Sequence, residues 1–524
     1  MLRAQQALNQ PTSKTLLTLC LLAMLLAGCA NLPSLEGRQH SLAITEAEAS
    51  QTKLGKGIAP LVALHEGKSG IHPLLNAHDA FAARVLLARA AERTLDIQYY
   101  IWRNDLTGTL LFETLHSAAD RGVRVRLLLD DNNTSGLDET LAILDSHANI
   151  EVRLFNPFLV RSPRLVGFIT DFSRANRRMH NKSWTADNLT TIIGGRNIGD
   201  EYFGASDGVL FTDLDVLAVG PVVNDVSSDF DLYWQSASSY PLKLIVPAAN
   251  PEQLAQLARA ASLVTKDPAA ADYVKAMKNS RFIRDLLAGK LDLEWAMTRM
   301  VSDPPSKGLG RARSHTLITR QLNDAIGDTN HQLDLVSPYF VPTDRGVEQF
   351  VDLSEKGVDI RILTNSLDAT DVAAVHSGYA KHRRELLTAG ISLYEMRRLG
   401  PGPDRDLKAG PFGSSGSSLH AKTFAVDQER VFVGSFNFDP RSAKLNTELG
   451  FVIESPLLAQ QVASTFLEKI PEKAYEVRLT DEGKIYWLER HDGEEIRHNK
   501  EPHSPAWKRF MVWFMSLLPI ESLL

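Results

Sequence analysis

The strongest constraint on the fold of this chain is a pattern that its sequence contains twice. An apolar segment at 95–101 leads through a helical segment to 122–130, and a second copy leads from 333–340 to 357–365. Each copy reads strand, helix, Gly-Val turn, strand, which is typical of strand–helix–strand units in a largely parallel, buried sheet. The repeat predicts an α/β protein made of two similar halves.

Both halves carry the same polar residues at the same spacing: His180, Lys182, Asp187 and Asn197, then His420, Lys422, Asp427 and Asn437. A histidine and a lysine two positions apart lie on one face of a strand. The histidines are 240 residues apart, close to the offsets of 238 from Leu95 to Leu333 and 235 from Gly122 to Gly357. A single such motif occurs by chance, but two matching motifs indicate one shared functional site.

This residue set suits the chemistry of phosphodiesters. Their negative charge repels oxyanion nucleophiles, whereas a neutral imidazole attacks without that repulsion and also transfers protons near neutral pH. Lysine ammonium groups, asparagine amides and the backbone N–H groups of a Gly-rich turn can bind the phosphate oxygens. One histidine would attack phosphorus and the other would protonate the leaving oxygen, giving a phosphohistidine intermediate. Because the lysines neutralise the charge, we expect no metal and no other cofactor.

The paired motifs resemble the HKD motifs of the phospholipase D superfamily over residues 77–454. The resemblance implies a duplicated fold in which two β-α-β-α halves pack about a pseudo-two-fold axis, with the active site at their seam. It implies that His180 is the nucleophile and His420 the general acid and base. The predicted phosphate ligands are Lys182, Lys422, Asn197, Asn437 and Ser435. Asp187 and Asp427 complete the catalytic motifs, at positions that support the strand in this superfamily.

Each imidazole also needs a carboxylate on its second ring nitrogen, which fixes the tautomer and stabilises the cation. Glu448 resembles the acidic residue that follows the second motif in the superfamily. In the first half Asp213 and Asp215 occupy the comparable place. Asp215 is the preferred orienting residue and Asp213 the alternative, although either could lie at a solvated strand edge.

The first residues are typical of an export signal. A short apolar run follows Arg3 and Lys14, and the sequence Leu-Ala-Gly before Cys29 resembles the lipobox of bacterial lipoproteins. We therefore expect lipidation at Cys29 and a membrane-anchored protein of the bacterial envelope that faces the periplasm. The alternative is an uncleaved signal anchor, and the choice between inner and outer membrane stays open.

The other end of the chain is rich in aromatic residues. Residues 507–519 combine tryptophan and phenylalanine with Lys508 and Arg509, which predicts an amphipathic segment at the membrane interface. The alternative is a terminal helix that packs on the body. The formal net charge of −6 offers no basic excess for nucleic acid, so we expect no nucleic-acid partner.

The predicted organisation has six parts: a signal peptide at 1–28, a lipidated terminus and tether at 29–75, a first half at 76–245, a helical insertion at 246–310, a second half at 311–475 and a C-terminal extension at 476–524. The Gly- and Ser-rich segment at 400–418 is either a lid or a plain connector. His376, Tyr379 and Arg383 share a helical face after Asp368 and Asp371, and they form either an acceptor pocket or an exposed polar face.

Residues 99–102, 199–202 and 439–442 resemble bacterial cardiolipin synthases, with their third, lipoprotein-like type the nearest. This resemblance implies transfer of a phosphatidyl group to a phosphatidylglycerol-like acceptor, with phospholipids as substrates and cardiolipin as product. The alternatives are a hydrolytic phospholipase D or a nuclease on the same site, and a non-catalytic lipid-binding lipoprotein.

Overall fold

The computed structural model describes residues 32–203, 213–250, 252–253, 284–285, 290–370, 372–398, 419–491 and 493–524. The predicted signal peptide, Cys29, Asp371, the segment at 400–418 and most of the predicted helical insertion lie outside the described residues.

Strands of the first half are β1 (Ser69–Leu74), β2 (Thr94–Ile101), β3 (Arg124–Asn133), β4 (Ile150–Phe155), β5 (Ser183–Ala186), β6 (Thr190–Gly194), β7 (Asp215–Val219) and β8 (Ser239–Pro241). They are followed by β9 (Glu294–Ser302), β10 (Gln332–Val336), β11 (Asp359–Asn365), β12 (Ser392–Met396), β13 (Thr423–Val426), β14 (Arg430–Gly434), β15 (Leu449–Glu454), β16 (Ala474–Leu479), β17 (Ile485–His491) and β18 (Glu494–His498).

Helices up to β8 are α1 (Glu46–Ala49), α2 (Lys53–Ala63), α3 (Ala77–Ala90), α4 (Leu106–Asp120), α5 (Asp138–Asp145), α6 (Leu165–Thr170), α7 (Phe172–Ala175), α8 (Asp200–Phe203) and α9 (Val222–Trp234). The later helices are α10 (Ile318–Ile326), α11 (Thr343–Glu355), α12 (Ala373–Ala380), α13 (Arg383–Thr388), α14 (Pro440–Lys444), α15 (Pro456–Glu468), α16 (Ile470–Lys473) and α17 (Ala506–Ser516). Short 3-10 turns cover Leu242–Leu244, Pro305–Leu309, Ser314–Thr316 and Glu521–Leu523.

The strand order is the same in both halves. In the first half it is β8-β4-β3-β2-β5-β6-β7-β1, and in the second it is β16-β12-β11-β10-β13-β14-β15-β9. The three strands β2, β3 and β4 are parallel to one another, as are β10, β11 and β12, and the other pairs are antiparallel. The equal orders confirm the predicted duplication.

Strand β9 corrects the predicted boundary between insertion and second half. The range 246–310 was expected to be helical, but Glu294–Ser302 is extended and joins the two sheets. Its first residues pair with β1 and the following ones pair with β15, as β1 itself pairs with β7. A strand here gives hydrogen-bond partners to two sheet edges that would otherwise be open. In the sheet of the second half, β9 thus occupies the place that β1 has in the first.

The predicted tether at 29–75 also differs from the structure. Its residues 38–44 lie along the first half, where Arg38 donates to the carbonyl of Ser236 at 2.7 Å and Arg126 donates to the carbonyl of Ser41 at 2.8 Å. Helices α1 and α2 follow, and β1 is part of the sheet. Buried guanidinium groups need acceptors, and the carbonyls of this segment supply them.

An apolar core fills the seam between the halves. Ile193 and Val216 from β6 and β7 belong to the same buried cluster as Val433 and Phe451 from β14 and β15. His180 and His420 precede β6 and β14 closely in the chain, so the core fixes how the two motifs face each other.

The C-terminal extension is attached to the second half. The hairpin of β17 and β18 continues the sheet beyond β16, and α17 packs against α12. Along α17 Val512 is buried, whereas Trp507, Phe510 and Trp513 are exposed. None of the helices in the described ranges combines the length and apolar composition needed to cross a membrane.

Candidate active site

Backbone pairing between the halves holds the first histidine. The N–H of His180 donates to the carbonyl of Thr447 at 2.9 Å, and the N–H of Thr447 donates to the carbonyl of Arg178 at 2.9 Å. His180 lies between α7 and β5, whereas Thr447 precedes β15 in the second half. The position of His180 therefore depends on both halves.

Each histidine is paired with a carboxylate from the opposite half. Nδ1 of His180 lies 2.8 Å from Oε2 of Glu448, and Nδ1 of His420 lies 2.7 Å from Oδ2 of Asp213. All four side chains are buried. A carboxylate on Nδ1 places the proton there and leaves Nε2 as the reactive nitrogen of a neutral imidazole.

The preference for Asp215 as an orienting residue was wrong. Its carboxylate lies 2.7 Å from the guanidinium of Arg84 and accepts the N–H of Arg196 at 3.1 Å. Asp215 is the first residue of β7 and pairs with Gly194, and Asp213 lies just outside the strand. Before the start of β7 the backbone need not continue the side-chain alternation of a strand, so Asp213 and Asp215 have different partners.

Both motif lysines fold back onto their own strand. Nζ of Lys182 donates to the carbonyl of His180 at 2.5 Å, and Nζ of Lys422 donates to the carbonyl of His420. The Lys182 ammonium also lies 5.5 Å from the centre of the Tyr100 ring. The two lysines are buried and close enough to influence each other's charge. This arrangement concentrates positive charge beside the two imidazoles.

Two of the predicted phosphate ligands, Asn197 and Asn437, each have a buried polar atom without a hydrogen-bond partner among the described residues. Asn197 accepts the N–H of Ile101 through Oδ1 at 3.1 Å, and its buried Nδ2 has no hydrogen-bond partner among the described residues. Oδ1 of Asn437 is likewise buried and unpaired within the described part of the chain. Unpaired buried polar atoms are costly, which is expected at a site that a polar ligand completes.

Ser435 departs from its predicted role as a phosphate ligand. Its hydroxyl donates to Oε2 of Glu448 at 2.5 Å and accepts the N–H of Leu449 at 3.0 Å. The side chain thus helps to hold the carboxylate of Glu448 against His180.

Asp187 and Asp427 directly follow β5 and β13, and their carboxylates reach the starts of β2 and β10 rather than the imidazoles. The carboxylate of Asp187 accepts the N–H groups of Glu92, Arg93 and Thr94 at 2.8 to 2.9 Å. That of Asp427 accepts the corresponding N–H groups before β10, from Asn330 to Gln332. These contacts fix the first turn before β2 and β10, so the structure gives both residues a supporting position and not a catalytic one.

Two tyrosines that the motifs did not reveal border the histidines. The Tyr100 ring meets the His180 ring edge to face at a centroid distance of 4.9 Å, and Tyr202 meets His420 in the same way at 5.3 Å. Tyr100 lies in β2 and Tyr202 in α8, within two of the three segments quoted for the family resemblance, which is the only sequence signal for them.

A second group missed by the sequence lies behind Glu448. Oδ2 of Asp303 accepts the N–H of Glu448 at 3.1 Å and the ammonium of Lys307 at 2.7 Å. Ser442 donates to Oε1 of Glu448 at 2.8 Å. Asp303 directly follows β9, inside the range predicted as a helical insertion, so the sequence offered no reason to place it near the active site.

Burial and the local charges shift the pKa of each member of the site. Burial and then the ammonium of Lys182 lower the pKa of His180 well below its usual value. Burial, with Lys422 adding to it, lowers the pKa of His420 to about 4. Burial raises the pKa of Glu448 to about 7. Burial also acts to raise the pKa of Asp213, but the contact with His420 outweighs it and lowers the pKa to about 2.

His376, Tyr379 and Arg383 form neither an exposed face nor an open pocket. All three are buried, and the guanidinium of Arg383 lies 2.9 Å from Glu395 and 2.5 Å from Glu501. This ion-pair network attaches the C-terminal extension to α13 and β12.

Two groups of side chains among the described residues bring three possible metal ligands within 4.8 Å of one another: His116, Asp120 and His147, and His376, Glu395 and Glu501. The second group surrounds the guanidinium of Arg383, which already supplies the positive charge there. Neither group includes a residue of the two motifs.

Comparisons with known proteins identify the family of the chain. The family described as "Cardiolipin synthase, PLD-like domain" matches residues 86–234 and 322–470. The chain is 51% identical to cardiolipin synthase C of Escherichia coli K12 over 477 residues, covering 90% of this chain and 100% of that protein. It is 24% identical to the major cardiolipin synthase of Bacillus subtilis 168, covering 77% and 69% of the two chains.

A solved structure shares the fold. The phosphatidylserine synthase of Haemophilus influenzae superimposes with a TM-score of 0.54 at 13% identity, over 90% of this chain and 100% of that one. Both repeats of this chain match one family, and the E. coli relative is matched over its whole length. The chain therefore belongs to the cardiolipin synthase family of proteins with phospholipase D-like domains.

Proposed function

We propose that the chain is a phosphatidyltransferase that makes cardiolipin from phospholipids by way of a phosphohistidine. The observation that carries this function is the pair of buried histidines, each held by a carboxylate of the opposite half, in a chain 51% identical to a cardiolipin synthase. Two imidazoles and two ammonium groups are the groups that a two-step displacement at a phosphodiester needs.

In the first step, Nε2 of neutral His180 attacks the phosphorus of a phospholipid. A nitrogen–phosphorus bond forms, the bond to the headgroup oxygen breaks, and cationic His420, protonated on both ring nitrogens, gives its Nε2 proton to that oxygen and becomes neutral. In the second step, neutral His420 takes a proton from the hydroxyl of a phosphatidylglycerol-like acceptor. The acceptor oxygen then attacks phosphorus, the nitrogen–phosphorus bond breaks, and His180 is restored.

The carboxylates support this division of roles. Burial holds the pKa of His420 at about 4, so its cation forms only where negative charge stabilises it; ionised Asp213, with a pKa of about 2, and the phosphodiester anion supply that charge, and the cation then acts as the acid. Glu448 has a pKa of about 7, so only part of the Glu448 population is ionised near neutral pH. A low pKa keeps His180 unprotonated, as a nucleophile requires.

Product analysis tests this function. Purified protein is given vesicles of defined phosphatidylglycerol with free glycerol as a competing acceptor, and the lipids are identified by mass spectrometry. We expect cardiolipin from the wild type and none from His180→Ala. Phosphatidic acid as the main product would instead show hydrolysis, and equal cardiolipin from both proteins would exclude the proposed mechanism.

Phospholipid substrates require access to a membrane, and we propose that both ends of the chain provide it. Lipidation at Cys29 would anchor the protein in the bacterial envelope on the periplasmic side. The exposed aromatic side chains of α17 would lie at the lipid interface, because rings of this kind favour the headgroup region. Mass spectrometry of the amino-terminal peptide, compared with Cys29→Ser, tests the lipidation.

A further inference from the structure

The segment before His180 exposes a group of apolar side chains. Leu165 and Ile169 lie four positions apart on α6, where they are 65% and 77% exposed, and Phe172 at the start of α7 is 51% exposed. No residue of α6 is buried. A single exposed apolar residue is ordinary, whereas a group of them on one short segment marks an interaction surface.

This surface is attached to the active-site seam. The guanidinium of Arg441 donates to Oδ1 and to the carbonyl of Asn176, at 2.8 and 2.9 Å. Asn176 directly follows α7 and lies four positions before His180. The N–H of Arg441 also donates to the carbonyl of Leu524 at 2.7 Å, in the turn after α17. The segment with α6 and α7 and the segment with α17 therefore meet at α14, next to the nucleophile.

Positive charge borders the same surface. Residues 160–178 contain five arginines and one aspartate. Most of these arginines are paired with carboxylates, but among the described residues the side chain of Arg177 donates only to the carbonyl of Lys444, at 3.1 Å, and Lys444 is exposed. The neighbouring Arg174 and Arg178 pair with Asp171 and Asp130, whereas neither Arg177 nor Lys444 has a carboxylate partner in the described part of the chain. Apolar side chains bordered by free cations complement an anionic lipid surface.

We propose that Leu165, Ile169 and Phe172 insert into the surface of an anionic phospholipid bilayer, with Arg177 and Lys444 against the lipid phosphates. The inference rests on the proposed function, because the substrate of that reaction is itself a bilayer lipid. Docking on this face brings the segment that leads into His180 to the headgroup layer. A phospholipid can then reach the nucleophile without leaving the bilayer fully.

Vesicle binding tests the surface. The full chain carries Cys29→Ser, so that an acyl anchor cannot mask other contacts, and is compared with the same chain carrying Leu165→Ser, Ile169→Ser and Phe172→Ser. We expect the triple variant to bind phosphatidylglycerol vesicles about tenfold more weakly, because three apolar side chains that enter the lipid surface are lost. The matched control is Leu457→Ser with Leu467→Ser, two leucines 52% and 69% exposed on α15, which we expect to bind like the parent.

Activity separates docking from chemistry. On dispersed short-chain phosphatidylglycerol the triple variant is expected to work like its parent, and on vesicles it should lose activity in parallel with binding. Equal vesicle binding by parent and triple variant would overturn the docking proposal. Absence of cardiolipin from the parent on both substrates would instead contradict the proposed function, while the binding result would still decide on the surface.

A fluorescent probe locates the contact. In a full chain with Cys20→Ser and Cys29→Ser, an environment-sensitive dye is attached to Ile169→Cys or, as a control, to Leu467→Cys. We expect a blue shift on addition of phosphatidylglycerol vesicles at position 169 alone. An unshifted dye at 169 would show that this face does not enter the lipid.

A charge-reversing variant tests the cations of the same surface. We expect Lys444→Glu to weaken binding to anionic vesicles more than binding to phosphatidylcholine vesicles.

Discussion

Among single residues, the carboxylates that reach the imidazoles occupy the same position of the repeat. Gly194 pairs with Asp215 across β6 and β7, and Gly434 pairs with Gly450 across β14 and β15. Asp213 and Glu448 each lie two residues before the partner of that glycine. Their pKa values are opposite, because burial raises that of Glu448 whereas the contact with His420 outweighs burial and lowers that of Asp213.

Asp213 and Asp215 should give different defects when their charge is removed. We expect Asp213→Asn to lower kcat by about 10²- to 10⁴-fold with an unchanged fold, because His420 loses the acceptor on Nδ1. Asp215→Asn leaves Arg84 buried without its ion pair and should lower the free energy of unfolding by about 3 to 5 kcal/mol. Steady-state kinetics and urea unfolding measure the two effects. An Asp213→Asn enzyme with wild-type kcat would contradict the assignment.

Glu448 should determine an inflection in the pH dependence of kcat. Its raised pKa of about 7 means that the carboxyl group is neutral below that pH and ionised above it. Ionisation strengthens the acceptor for the Nδ1 proton of His180 and makes Nε2 more nucleophilic, so kcat should rise with pH through about 7. In Glu448→Gln this rise should be absent. The same rise in both proteins would assign it to another group.

Among the elements, the strand starts and the joining strand β9 organise the site. Asp187 and Asp427 accept the backbone N–H groups at the start of β2 and β10, the central strand of each half. β9 pairs with both sheets, and Asp303 directly after it supports Glu448. The contacts at the starts of β2 and β10 and at the end of β9 thus help to position the catalytic groups.

Asp187 and Asp427 should contribute to the stability of the fold and not to the catalysed reaction. We expect Asp187→Ala to lower the free energy of unfolding by about 2 to 4 kcal/mol, because it leaves three backbone N–H groups without their acceptor. Asp427→Ala should cost less, since Asp187 is buried and Asp427 is half-buried. Denaturant unfolding gives these values. The shape of the pH–kcat profile should remain that of the wild type, and a displaced inflection would show a direct role in the reaction.

In the whole molecule, the two halves form a single site that neither can complete alone. The contact between His180 and Glu448 joins residues 268 positions apart, and that between His420 and Asp213 joins residues 207 positions apart. The apolar cluster with Ile193 and Phe451 holds the halves together.

Because every pair forms within one chain, two inactive chains should not restore each other. We expect a mixture of full-length His180→Asn and full-length His420→Asn to make no cardiolipin at any ratio. Product analysis by mass spectrometry, with wild type diluted into each variant as the control, measures this. Recovered activity in the mixture would show that halves are exchanged between chains.

The sequence by itself determined the features that repeat. Two motifs at a nearly constant offset were sufficient for the duplicated fold, for the histidines and for the phosphodiester chemistry, because these depend on local spacing and residue type. Only the tertiary structure decided the choice of Asp213 over Asp215, the turn of Ser435 toward Glu448 and the strand at Glu294–Ser302. Those features depend on contacts between segments far apart in the chain, which packing of the halves creates and local pattern does not contain.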